Sequence, residues 1–192
     1  MMEIDSFILA GGASRRMGRD KAHLVLDGHT LLHRISNTLF AVTESVTVVG
    51  RQANESRLAS VSDVYPNWGA LGGLHAALNA CKTEWAIVVA CDLPFITTDL
   101  ILCLMSLMNE YSAVIPLQQD GRPQPLCGLY RIDPCRDVAG KLIETEHRRP
   151  LDLLEAVSTR WVSFSELEDL PQSERFFVNI NTPADYEGAA GL

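Results

Sequence analysis

The apolar run Phe7-Ile8-Leu9-Ala10 leads into Gly11-Gly12, and Arg15, Arg16, Arg19 and Lys21 then crowd around Gly18. Glycines at the end of a strand let backbone N–H groups approach an anion without an intervening β-carbon. Leu9, Ala10, Gly11 and Gly12 are therefore candidate phosphate-cradling positions, with Arg16 and Lys21 placed to neutralise phosphate charge. The chain as a whole carries 16 basic against 24 acidic side chains, a formal charge of −8, so this cationic cluster is local. An extended nucleic-acid surface would need a broad basic face, which this balance disfavours. A small, highly charged anion such as a nucleoside triphosphate suits it. The P-loop pattern G-x-x-x-x-G-K-[ST] is excluded, because Arg19-Asp20-Lys21-Ala22 follows Gly18. Gly11-Gly12-Ala13 also breaks the G-x-G-x-x-G spacing of dinucleotide folds.

Two carboxylates could complement that loop. Asp92 ends the apolar run Val88-Val89-Ala90-Cys91, and Pro94 follows closely. A carboxylate at a strand tip facing an anion makes chemical sense with a hard cation between them, and Mg²⁺ commonly takes one or two carboxylates plus phosphate oxygens. Asp92 reads equally well as a cap for a helix starting near Thr97. Asp63 precedes the turn formers Pro66, Asn67 and Gly69, and then Gly72-Gly73. It could accept hydrogen bonds from the N1–H and exocyclic amine of guanine, a donor pattern that adenine and cytosine lack. Gly72 and Gly73 could lie against a base or make close helix-to-sheet contacts. Trp68 could stack on a ligand, although core or rim packing is the favoured reading, and His23, His29, His33, His75 and His147 show no ligand spacing.

The elements that must position these residues alternate in type. The runs 6–10, 45–50 and 85–90 read as strands buried on both faces, and 30–42, 71–81 and 97–111 as amphipathic helices. That order predicts an α/β fold with a mostly parallel central sheet and helices on both faces. Residues 113–132 read as two strands around a turn at Asp120-Gly121. Helices follow at 135–144 and 151–157, strands at 160–164 and 175–180, and Pro183 opens a terminal helix. On that last strand Asn179 and Asn181 would alternate onto one face and could bind a polar ring or orient a metal; turn or cap roles are the alternative. At 192 residues, with 47% hydrophobic and 21% charged side chains, one domain spanning 1–192 is expected. The five cysteines form no C-x-x-C pair, and no apolar run approaches the roughly 20 residues of a membrane span. With no basic segment ahead of the first apolar run, the sequence predicts a cytoplasmic protein without a signal peptide or membrane partner.

Residues 9–32, LAGGASRRMGRDKAHLVLDGHTLL, resemble the signature L-A-G-G-x-S-x-R-M-G-x-D-K-A of nucleotidyltransferases that activate small phosphorylated compounds. The Gly-Gly and Asp-Lys pairs are most similar to the molybdenum cofactor guanylyltransferase family. The resemblance implies a three-layer, Rossmann-like nucleotidyltransferase fold and transfer of GMP from Mg-GTP to the phosphate of a molybdopterin-type cofactor, with release of pyrophosphate. It implies Asp92 of the C-D-x-P segment as the Mg²⁺ ligand, and Arg16 and Lys21 as catalytic cations. Asp63 with Gly69-Ala70-Leu71-Gly72-Gly73 matches the family's guanine segment, with alanine at 70 where proline is usual. Asn179 and Asn181 match its N-x-N-T-P segment near pterin and metal. Segments 121–130 and 146–154 match those lining the second substrate, which makes Arg148 and Arg149 candidates for the pterin phosphate; surface arginines of a helix are the alternative. A recipient molybdoenzyme or its chaperone is the implied downstream partner. Two other readings remain open at this level. One is a relative using CTP or another small phosphorylated acceptor, and the other is a non-catalytic module that delivers nucleotide or cofactor.

Overall fold

The computed structural model describes residues 3–11, 24–53, 55–66 and 68–189. In chain order these form strand β1 (Asp5–Leu9), a hairpin of β2 (Val25–Leu26) and β3 (His29–Thr30), helix α1 (Leu31–Phe40), β4 (Val46–Val49), β5 (Ala59–Val61), α2 (Gly69–Ala80) and β6 (Trp85–Ala90). They continue with α3 (Thr98–Ser106), β7 (Ala113–Pro116), β8 (Cys127–Arg131), α4 (Ile132–Glu144), α5 (Pro150–Ala156), β9 (Thr159–Val162) and α6 (Pro183–Ala189).

Seven strands make one sheet in the order β5-β4-β1-β6-β8-β7-β9. The pairs β5/β4, β4/β1, β1/β6 and β7/β9 are parallel, and β8 runs antiparallel to both its neighbours. The continuous apolar character of β1 has a direct cause: its residues alternate between two cores. Ile8 packs with Leu32, Ile35 and Leu39 of α1 and with Leu100 and Leu104 of α3. Phe7 and Leu9 pack on the other side with Leu71 and Leu74 of α2, Ala139 of α4 and Leu153 of α5. The expected α/β architecture, with helices on both faces of a mostly parallel sheet, is therefore the observed one. No helix among the described residues is long and apolar enough to cross a membrane.

Local chemistry sets the element ends. The Thr30 and Thr97 hydroxyls cap α1 and α3 by accepting the N–H groups of His33 and Leu100. Asp27 (φ 51°) and Gly28 (φ 81°) form the two-residue turn of the β2–β3 hairpin, a geometry that favours Asp-Gly. Each of those strands is two residues long, too short to leave an apolar period, so neither was expected.

One expected element is corrected. Residues 175–180 are not a strand: a 3₁₀ turn at Ser173–Arg175 runs into irregular backbone. The Phe176 and Val178 N–H groups donate to the Ser173 and Arg175 carbonyls at 3.3 and 3.0 Å, three residues back in the chain, so these donors close turns and do not pair with a neighbouring strand. Asn179 and Asn181 therefore do not share a strand face. The Asn179 side chain instead donates to the Phe177 carbonyl at 3.1 Å.

Candidate active site

The direction of strand order reverses at β1, since β4 and β5 lie to one side and β6 to the other. Beyond the carboxyl ends of the strands flanking such a reversal, an open α/β sheet leaves a crevice where ligands bind. The chain stays paired as it leaves these strands. Ala10 donates to the Val49 carbonyl at 3.1 Å, Gly50 to Val61 at 2.9 Å and Cys91 to Leu9 at 3.1 Å. Gly11, Gly50, the Asp63 turn and Asp92 are thus carried to one end of the sheet.

Gly11 and Gly50 touch backbone to backbone. A β-carbon on Gly50 would stand 2.7 Å from the Gly11 Cα, and Gly50 also holds φ at +84°. Both space and conformation therefore demand glycine there. The Asp63 carboxylate closes this nook: its Oδ2 lies 3.3 Å from the β-carbon position of either glycine, and its Oδ1 lies 3.9 Å from that of Gly73. Asp63 Oδ1 is buried without a hydrogen-bond partner. Burial raises the Asp63 pKa above its ordinary value. A desolvated carboxylate oxygen left unmatched is costly, and a ligand with N–H donors would relieve that cost.

Gly72 and Gly73, paired in the sequence, separate in role. Gly73 faces Leu9 and Asp63, whereas a β-carbon on Gly72 would meet the Trp68 Cβ at 2.7 Å and the Tyr65 carbonyl at 3.3 Å. Gly72 thus makes room for the turn entering α2. Gly50 is the neighbour of Asp63 that sequence reading did not assign. Its signal lay in position, because a glycine directly after β4 mirrors the glycines directly after β1.

Asp92 leaves β6 beside the end of β1. Its backbone carbonyl accepts the Ile180 N–H at 3.0 Å, so the Asn179–Asn181 segment lies against the Asp92 turn although it is not a strand. The alternative role of Asp92, capping α3, is filled by Thr97. Among the described residues no group of three or more His, Cys, Asp or Glu side chains could hold a metal by itself. One carboxylate beside amide-bearing residues instead suits a cation that takes most of its ligands from water and phosphate. At the start of α6, Asp185 Oδ2 accepts the N–H groups of Asn181 and Thr182 at 2.9 and 2.8 Å.

Arg148 and Arg149 sit in the loop between α4 and α5, against the turn entering α2. The Arg148 guanidinium lies over the Trp68 ring at 4.3 Å, and Arg149 Nε lies 4.0 Å from Asp152. Trp68 is therefore packed, as expected. His75 is also a packing residue, buried beside Tyr65 with ring centroids 5.2 Å apart. Gly12, Arg16 and Lys21 lie outside the described residues.

A mostly parallel sheet with a glycine nook and a carboxylate at its switch point defines a nucleotide-handling α/β protein. Residues 6–159 match the family described as the MobA-like NTP transferase domain, and the chain belongs to that family. It is a nucleotidyltransferase. A relative from Clostridium perfringens named "Probable molybdenum cofactor guanylyltransferase" is 34% identical, covering 97% of this chain and 96% of its own. A relative of the same name from Carboxydothermus hydrogenoformans is 30% identical over 97% of this chain and 95% of its own. Among solved structures, molybdopterin-guanine dinucleotide biosynthesis protein A from Archaeoglobus fulgidus superposes with a TM-score of 0.83 at 24% identity, covering 97% of both chains. The 2-C-methyl-D-erythritol 4-phosphate cytidylyltransferase from Thermus thermophilus superposes at 0.72 with 17% identity, covering 99% of this chain and 98% of its own.

Proposed function

We propose that residues 1–192 act as one molybdenum cofactor guanylyltransferase domain, which moves GMP from GTP to the terminal phosphate of a molybdopterin-type acceptor. The carrying observation is the unmatched, buried Asp63 Oδ1 in the glycine nook. Guanine offers two adjacent N–H donors to such a carboxylate, whereas cytosine and adenine offer no such pair. The names of the full-length relatives support the same substrates.

In this reading an oxygen of the acceptor phosphate attacks the α-phosphorus of GTP in line. The new P–O bond forms as the bond to the β-phosphate oxygen breaks, and pyrophosphate leaves. The attacking group is already ionised at neutral pH, so no general base is needed. Positioning and charge neutralisation carry the catalysis. The Gly11 and Gly12 backbone cradles phosphate, and Arg16 and Lys21 offset charge at the α-phosphate and on the leaving group. Asp92 would hold a divalent cation, Mg²⁺ in our reading, with Asn179 and Asn181 nearby. When bound, that cation supplies Lewis-acid stabilisation of the phosphate oxygens. Arg148 and Arg149 are assigned to the acceptor phosphate.

A coupled assay following GTP consumption, molybdopterin consumption and pyrophosphate release tests the proposal. Stoichiometric release with GTP supports it. Release with CTP instead would move the chain to a cytidylyltransferase, and nucleotide binding without release would make it a delivery module. Thermal shifts with GTP, CTP, ATP and UTP plus Mg²⁺ sort these ligands independently, because the ligand that binds the native state raises its melting temperature.

A further inference from the structure

The turn that carries Asp63 has weak support of its own. Strand β5, which leads into it, is a three-residue edge strand with one neighbour, β4. Its residues Ala59 and Ser60 are exposed, as are Ser62, Val64 and Pro66 around Asp63. Helix α2, into which the turn runs, begins without a side-chain cap, since its N-cap residue is Trp68. Yet a base-reading carboxylate must be held to within a fraction of an ångström.

Trp68 supplies the missing anchor. Its backbone N–H closes the turn onto the Tyr65 carbonyl at 3.2 Å. Its indole Nε1–H donates to the His147 carbonyl at 3.0 Å, a tie between residues 79 positions apart in sequence. The Arg148 guanidinium covers its ring at 4.3 Å, and its Cβ fits against Gly72, where no side chain could be accommodated unchanged. The loop between α4 and α5 is itself braced, with His147 Nδ1 3.0 Å from Asp152 Oδ2.

We propose that Trp68 is a positioning residue for base selection: it latches the Asp63 turn to the 147–148 loop and thereby fixes the carboxylate that reads guanine. The inference rests on the guanine role proposed for Asp63, and no contact between Trp68 and the nucleotide is required.

The test compares Trp68→Phe, Trp68→Ala and Asp63→Ala, measuring kcat and KM with GTP and with CTP. Trp68→Phe keeps a ring under Arg148 but loses the N–H donor, and a lost hydrogen bond is worth about fivefold to tenfold. It should raise KM for GTP and lower the GTP-over-CTP ratio of kcat/KM severalfold, with kcat within about twofold of wild type. Trp68→Ala should lower the ratio further. A merely structural role would reduce the active fraction for every nucleotide alike and leave the ratio unchanged. An unchanged ratio in Trp68→Phe, alongside a relaxed ratio in Asp63→Ala, overturns the latch alone. An unchanged ratio in Asp63→Ala overturns the guanine contact and the latch with it. If Trp68→Ala does not fold, the Trp68→Phe ratio decides.

Discussion

The Ile180 N–H and the Asp92 carbonyl stand 3.0 Å apart, joining the C-terminal segment to the strand tip that carries the proposed metal ligand. Ile180 is fully buried in a small cluster with Leu26, Leu31, Phe95 and Ala189, which draws together the hairpin, the Asp92 turn and α6. Truncating a buried isoleucine to alanine typically costs about 2–5 kcal/mol. Ile180→Ala should therefore lower thermal stability and raise the Mg²⁺ concentration needed for half-maximal activity. Differential scanning calorimetry and a magnesium titration measure the two effects; destabilisation with an unmoved titration would separate this segment from the metal site.

Asp92→Ala should abolish the response of activity to added Mg²⁺ while leaving the fold intact, because Thr97 and not Asp92 caps α3. A magnesium titration identical to wild type would remove Asp92 from the chemistry.

Lys21→Ala should lower kcat by roughly 10²–10³, the usual loss when one donor to a developing anion is removed. Circular dichroism would establish that the variant is folded. Wild-type turnover would show that Lys21 is a solvated surface cation.

Burial raises the pKa of Asp63, so its sign differs from that of a paired surface carboxylate. Its contribution to stability is fully present below the ordinary value of 3.8 and is lost as pH rises through the raised folded value. In its ionised form this carboxylate is under-solvated in the ligand-free protein, because burial strips water from it. Asp63→Asn should therefore melt at the same or a higher temperature at pH 7 without ligand, with the difference closing in acid. GTP should stabilise the wild type more than the variant. Wild-type GTP affinity should fall as pH drops through the raised pKa, and calorimetric titration across that range checks the direction.

Gly50→Ala should be damaging at a position with little side-chain chemistry. A non-glycine residue at φ +84° costs about 1–3 kcal/mol, and the new methyl would press on the Gly11 backbone at 2.7 Å. The expected outcome is a lower melting temperature together with weaker GTP binding. Wild-type binding would mean that the Gly11–Gly50 contact is not part of the nucleotide site.

Much of this protein can be read from local order in the chain. Apolar runs without alternation imply strands buried on both faces, and the structure places β1, β4 and β6 adjacent in one sheet with helices on either side. Glycines after a strand and a carboxylate at a strand tip announce anion and cation chemistry, because those properties belong to the residues themselves. What sequence spacing could not settle depends on which distant segments meet. The strand expected at 175–180 gives way because the Phe176 and Val178 N–H groups close turns onto Ser173 and Arg175 and the Asn179 side chain hydrogen-bonds the Phe177 carbonyl. Gly72 and Gly73 look equivalent along the chain, yet only the packed turn sends one toward Trp68 and the other toward Asp63. The unmatched Asp63 oxygen is likewise a tertiary property, since burial and missing partners exist only once β1, β4 and β5 end side by side. Residue types set the chemistry available, and long-range packing decided which of those residues share a site.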